Sequence, residues 1–124
     1  MKKVGVFGNR TITDIDKVLD GFQEAVGTGQ EICILHGGAA GPSKIISERA
    51  KESEGFSEVC FKPWSMVYQK LEFHPKFFYF RNKQVVENSD EIVIFRNGED
   101  DSEVSRVLEL CNRWNKKYTV VDIV

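Results

Sequence analysis

Short apolar runs recur along this chain about every 25 residues, with stretches of helical periodicity between them. Val4-Gly5-Val6-Phe7, Ile32-Cys33-Ile34-Leu35 and Ile92-Val93-Ile94-Phe95 are continuous runs, the pattern of strands covered on both faces. Ser57–Phe61 is a shorter third strand ended by Lys62-Pro63, and Tyr118–Ile123 is the last. Between the first two, Ile15, Val18, Leu19, Phe22 and Val26 form one helical stripe. It sits behind Thr13-Asp14-Ile15-Asp16, a variant capping box, and stops at Gly27-Thr28-Gly29. A second helix begins at Pro42, where the missing N–H costs nothing, and breaks at Gly55. The segment from Trp64 to His74 has weak periodicity and reads as a loop with room for one helical turn. Pro75–Asn88 reads as a third helix, and Val104, Val107, Leu108 and Cys111 mark a fourth after the loop Arg96–Asp101.

Strands alternating with helices predict a parallel sheet, because each right-handed crossover must lay its helix on a face. The expected fold is α/β: residues 1–124 as a single Rossmann-like domain, a five-stranded parallel sheet in the order 3-2-1-4-5 with helices on both faces. That order places a topological switch point between strands 1 and 4. The loops at Gly8, His36 and Arg96 leave the sheet on that edge, where open α/β sheets bind ligands.

The stretch Ile32–Lys44 carries the strongest chemical signal. A buried strand runs into His36-Gly37-Gly38-Ala39-Ala40-Gly41, and a helix starts at Pro42-Ser43. Strand, small-residue turn and helix in that order aim backbone N–H groups and a positive helix end at an anion. The order G-G-x-x-G matches neither the dinucleotide fingerprint nor the P-loop. Arg10, just past the Gly8-Asn9 turn, has the reach to meet a phosphate at the strand ends. Arg81-Asn82-Lys83 is a polar cluster on a phenylalanine-rich helix, and Arg81 is expected to be the site's charged clamp. His36 is a ligand donor, a group for acid–base chemistry or a satisfied strand-end residue. Ser102 either caps the last helix or binds a phosphate or ribose hydroxyl. Trp64, Tyr68, Phe73 and Phe77–Phe80 concentrate aromatic surface suited to stacking on a base or to an interface between copies.

Composition narrows the classes. The net charge of −2 and pI near 5.7 give no global field for nucleic acid, so an anion site must be local. Cys33, Cys60 and Cys111 are odd in number and each lies in an apolar-periodic segment, which suggests reduced thiols in a cytoplasmic protein. No run approaches membrane-spanning length. Glu99-Asp100-Asp101 with Glu103 is an acidic run at a helix start, with no spacing that calls for a metal, and nothing in the chain calls for a cofactor.

Gly8-Asn9-Arg10, the His36–Gly41 turn, Lys62-Pro63-Trp64 and Arg81-Asn82 occur in an order that resembles the YspA-like branch of the SLOG superfamily. That superfamily also contains the Lonely Guy phosphoribohydrolases and the DNA-processing protein DprA. The resemblance implies a Rossmann-like fold that binds a nucleotide or a nucleotide-derived ligand, often as a homodimer. Taken together, the residues and the resemblance give a candidate ligand set of Gly8, Asn9, Arg10, His36, Gly37, Gly38, Ala39, Gly41, Ser43, Trp64, Arg81, Asn82 and Ser102. Pro42-Ser43 stands where family members usually carry Ala-Asp, and Phe77–Phe80 replaces glycines usual before Arg-Asn. Arg81 resembles the catalytic arginine of the Lonely Guy enzymes. Their PGG-x-GT-x-x-E motif has no counterpart here, and Glu103 is only a loose substitute for its acid.

Two functions follow. A phosphate cradle without a convincing carboxylate favours a binding protein for an ADP-ribose-like or cyclic-nucleotide-like ligand, since glycosidic cleavage needs a carboxyl group poised at the ribose. An N-glycosidic hydrolase acting on nucleoside monophosphates is the alternative. Single-stranded DNA binding, which would need basic surface with stacking platforms, is disfavoured on net charge and size. The expected partners are therefore a small nucleotide-derived molecule and a second copy of the chain.

Overall fold

The computed structural model describes residues 1–27, 29–61 and 76–123, with the side chains of residues 76–78 outside that description. Five strands, β1 (Lys2–Gly8), β2 (Ile32–His36), β3 (Phe56–Cys60), β4 (Glu91–Arg96) and β5 (Lys117–Asp122), form one sheet in the order β3-β2-β1-β4-β5. Every strand pair is parallel. Among the described residues four helices flank the sheet: α1 (Ile15–Val26), α2 (Pro42–Glu52), α3 (Lys76–Asn88) and α4 (Ser102–Arg113). This is the α/β Rossmann-like architecture expected from the alternation of apolar runs and helical stripes.

Side-chain alternation along the three inner strands divides the core in two. Val4, Val6, Ile32, Ile34, Val93 and Phe95 face α1 and α2, packing with Val18, Phe22, Ile46 and Ala50. Phe7, Cys33, Leu35, Ile92 and Ile94 face α3 and α4, packing with Val85, Val86, Val104, Val107 and Cys111. Burial pushes the Cys111 thiol up to about 11. A Cβ on Gly5 would lie 2.6 Å from Ser89 Oγ and one on Gly8 2.7 Å from Pro42 Cγ, so neighbouring side chains approach the β1 backbone closely at both positions. At the far end of the sheet, buried Glu91 of β4 reaches Lys2 of β1 (2.9 Å) and Lys117 of β5 (3.3 Å), fastening three strands with one carboxylate.

Helix starts differ from expectation by one residue in two places. Asp14, not Thr13, caps α1: its carboxylate accepts from Lys17 N. Both residue types cap well, and the first apolar turn decides between them. Asp101 rather than Ser102 caps α4, accepting from Val104 N at 2.8 Å. Asp101 is thereby used structurally, and Ser102 is left exposed at the first turn.

Candidate functional site

β1 and β4 are neighbours whose following connections diverge, so the switch point lies between them as the topology requires. The β1 exit is tied to β4 by Asn9 N donating to Phe95 O. Asn9 Oδ1 then accepts from both Thr11 N (2.9 Å) and Thr11 Oγ1 (2.6 Å), a local turn that fixes where Arg10 leaves the sheet. Gly41, the residue before α2, has φ of +86°, and a Cβ there would meet Asn9 O at 2.9 Å and Arg10 Cα at 3.0 Å. The Arg10 backbone therefore lies directly against the start of α2, whose N-terminus has no side-chain cap among the described residues.

The turn after β2 is braced from within. His36 is buried, its Nδ1 accepts from Gly38 N at 3.0 Å, and its Nε2 faces Glu58 Oε2 at 2.7 Å. With Nδ1 accepting, the ring donates through Nε2. Ser47 Oγ donates to the same Glu58 oxygen, and Lys51 Nζ lies 3.2 Å from the other. Partial burial raises the Glu58 carboxyl, but the hydrogen bonds from Ser47, His36 and Lys51 outweigh it and hold the group below its ordinary value. His36 thus links β2 to β3. Ser43 is buried, and its hydroxyl donates to Val6 O, joining α2 to β1.

Arg81 rises from α3 beneath this turn. Its guanidinium is only 4% exposed and is gripped on several sides. Nε and Nη2 both donate to Asn82 Oδ1 (3.2 and 3.0 Å), and Nη1 donates to Gly37 O (3.2 Å). Glu103 of α4 pairs with Nη2 at 3.6 Å. A Cβ on Gly37 would run into the guanidinium, which explains a glycine there without invoking a ligand. Burial lowers the Arg81 pKa, the nearby Glu103 charge raises it, and the like charge of Arg10 lowers it again. The last effect records how close the two arginines stand.

Above Arg81 opens a cleft of about 180 Å³ lined by Arg10, Tyr79, Arg81, Asn82, Ser102, Glu103, Arg106 and Leu110. Of the residues named from sequence, the cleft gathers Arg10, Arg81, Asn82, Ser102 and Glu103. Gly8, Asn9, His36, Gly37, Gly38, Ala39, Gly41 and Ser43 are not among its lining residues. Gly8, Asn9, His36, Gly37, Gly38, Gly41 and Ser43 shape the turns beneath and beside it. Trp64 lies outside the described residues. Sequence reasoning missed Arg106 and Leu110. The signal was present, because Ser102, Arg106 and Leu110 recur at i, i+4 and i+8 on one face of α4. A larger cavity of about 580 Å³ opens at the opposite sheet edge, between the ends of α1 and α2. Leu19, Phe22, Ile46 and Ala50 dominate its wall, and no candidate residue lies on it.

No family model matches the chain, and no curated protein matches it. Among solved structures, DNA processing protein A from Helicobacter pylori, whose structure concerns a unique single-stranded DNA binding mode, superposes with a TM-score of 0.73 at 19% identity. The match covers 99% of this chain and 66% of that protein, just under two thirds of its length. The likeness establishes the fold, a DprA-like one.

The match also corrects the functional expectation. A protein of this fold binds single-stranded DNA, which overturns both the assignment to a small nucleotide-derived ligand, bound or hydrolysed, and the judgement that nucleic acid is a poor partner. That judgement rested on small size and on a net charge of −2, and the latter averages over the whole surface and hides three arginines lining one cleft.

Proposed function

We propose that this chain is a single-stranded-DNA-binding domain and that the arginine cleft at the switch point is its primary contact. The observation that carries the reading is the convergence of Arg10, Arg81 and Arg106 on one small cleft, with the Tyr79 ring in its wall. Arg10 and Arg106 are exposed and suited to direct contact with a phosphodiester, while Arg81 supplies buried positive charge behind them. Ser102 offers a hydroxyl on the same rim, and the uncapped start of α2 beside Arg10 adds the positive end of a helix. Tyr79 provides the aromatic face on which a base stacks, a mode of binding tolerant of sequence. The aperture suits a phosphate and part of a nucleotide, and a single strand can thread its backbone past it.

Residues 1–124 constitute one SLOG-like domain in this reading. Placement in the YspA-like branch rests on the order of the Gly8-Asn9-Arg10, His36–Gly41 and Arg81-Asn82 motifs. Three unpaired cysteines, Cys33, Cys60 and Cys111, support a reducing compartment, the cytoplasm. No helix among the described residues is long and apolar enough to cross a membrane.

Fluorescence anisotropy with labelled oligothymidine is the test. Arg10→Ala and Arg106→Ala are each expected to weaken binding roughly 10- to 150-fold, the effect of losing a charged hydrogen bond worth about 1.5–3 kcal/mol. Both side chains are exposed, so the fold should survive. Parent-like affinity in both variants would place DNA binding away from the cleft.

A further inference from the structure

The cleft does not end the cationic and aromatic surface. Its Tyr79 wall continues along the α3–α4 face: Arg113 Nη1 lies 3.5 Å from the Tyr79 hydroxyl, and next to Arg113 stands Trp114 at the end of α4. Lys83, one turn beyond Tyr79 on α3, holds its ammonium 5.6 Å from the centre of the Trp114 ring. Trp114 is 43% exposed and Tyr79 37%, although large aromatic rings are mostly covered in a folded domain. On α4, Arg106, Leu110, Arg113 and Trp114 follow at i, i+4, i+7 and i+8, which keeps them on one side of the helix. Acidic groups are close by: Glu87 pairs with Lys83 at 3.7 Å, Glu103 with Arg81 at 3.6 Å, and Glu109 lies on α4 between Arg106 and Arg113. Arg113 nonetheless lies against the Tyr79 hydroxyl, and Arg106 shares the cleft wall with the same residue.

We propose that this face is a second segment of the DNA path, in which a strand leaving the arginine cleft runs along α4, its phosphates met by Arg106 and Arg113 and a base stacked on Trp114. The inference rests on the reading of the cleft as a single-stranded-DNA site and assigns that site its direction and length. Arg106 and Trp114 are separated by about 12 Å along the helix axis. At about 3.4 Å per stacked nucleotide, that distance adds three to four nucleotides to what the cleft holds. Charge and ring chemistry choose the occupant. A tryptophan face flanked by arginine and lysine suits a base and its phosphate, the ring taking the base and the cations the charge.

Anisotropy titrations with labelled dT4 and dT12 test the path separately from the cleft. Trp114→Ala is expected to weaken dT12 binding about 5- to 100-fold, as loss of one base–aromatic stack does, and to leave dT4 binding unchanged. Arg113→Ala, an exposed substitution, should also weaken dT12 and lower the dependence of its affinity on salt. It serves as the second probe should Trp114→Ala fail to fold by circular dichroism. If the parent binds dT4 and dT12 but both variants match it, the second segment is absent and the cleft assignment stands. A change in oligomeric mass with unchanged dT12 affinity would assign the face to a protein contact and also overturn the path. A parent protein that binds neither oligonucleotide overturns the cleft reading and the path with it.

Discussion

Arg81 illustrates how a residue can belong to a site without reaching far into it. Its guanidinium holds Asn82, the Gly37 carbonyl and Glu103 together, so one side chain ties α3 to the turn after β2 and to α4. Arg81→Ala would strand those groups and is expected to cost on the order of 2–4 kcal/mol in urea denaturation. Arg81→Lys should recover only part of that, keeping charge but losing the fork. A parent-like midpoint for the alanine variant would remove the brace. Glu58 gives a second test, through pH. Its carboxyl is held below the unfolded-state value of about 4.3, so its stabilisation is complete above that value and is lost as pH falls through the folded-state value. Glu58→Gln should therefore be less stable than the parent at pH 7, with the gap closing in acid. A gap that persists unchanged at pH 3 would deny the ionised network. Arg81 was legible in the sequence as a charge on an aromatic helix. That it would be buried and spent on its neighbours was not, because burial depends on which helix α3 packs against.

Elements near the site are shaped by a few backbone constraints. Gly37 leaves room for Arg81, so Gly37→Ala must move either the guanidinium or the turn. It should destabilise by about 1–3 kcal/mol and weaken DNA binding as well. Asp101→Ala removes the α4 cap and is expected to cost about 1 kcal/mol, with a smaller loss of affinity because Ser102 and Arg106 sit on the frayed helix. Thermal melts beside anisotropy measure both effects. Strands and helix stripes were readable because burial imposes a period of two or 3.6 on the sequence, and β1, β2 and β4 carry that imprint on both faces. The turn from His36 to Gly41 was readable as a special backbone. Its Gly38 N–H, however, is occupied by His36 Nδ1, so the reading of that turn as a cradle of backbone N–H groups does not describe Gly38.

For the molecule as a whole, an acidic balance coexists with a local basic cleft, and the expectation against nucleic acid failed on that distinction. Arg10 comes from the β1 exit, Arg81 from α3 and Arg106 from α4, more than twenty residues apart in each case. Only the fold brings them together, so no window of sequence shows the patch. The aromatic segment behind the homodimer expectation runs from Phe73 to Phe80, and the side chains of residues 73–78 lie outside the description. The most direct test of the central claim is the salt dependence of dT12 binding to the parent protein. If the cleft and its continuation neutralise two to three phosphates, log K should fall with log salt at a slope of about −1.4 to −2.1, and Arg10→Ala should reduce that slope by about 0.7. Absence of binding at low salt, or a slope that Arg10→Ala and Arg106→Ala both leave unchanged, would contradict the account.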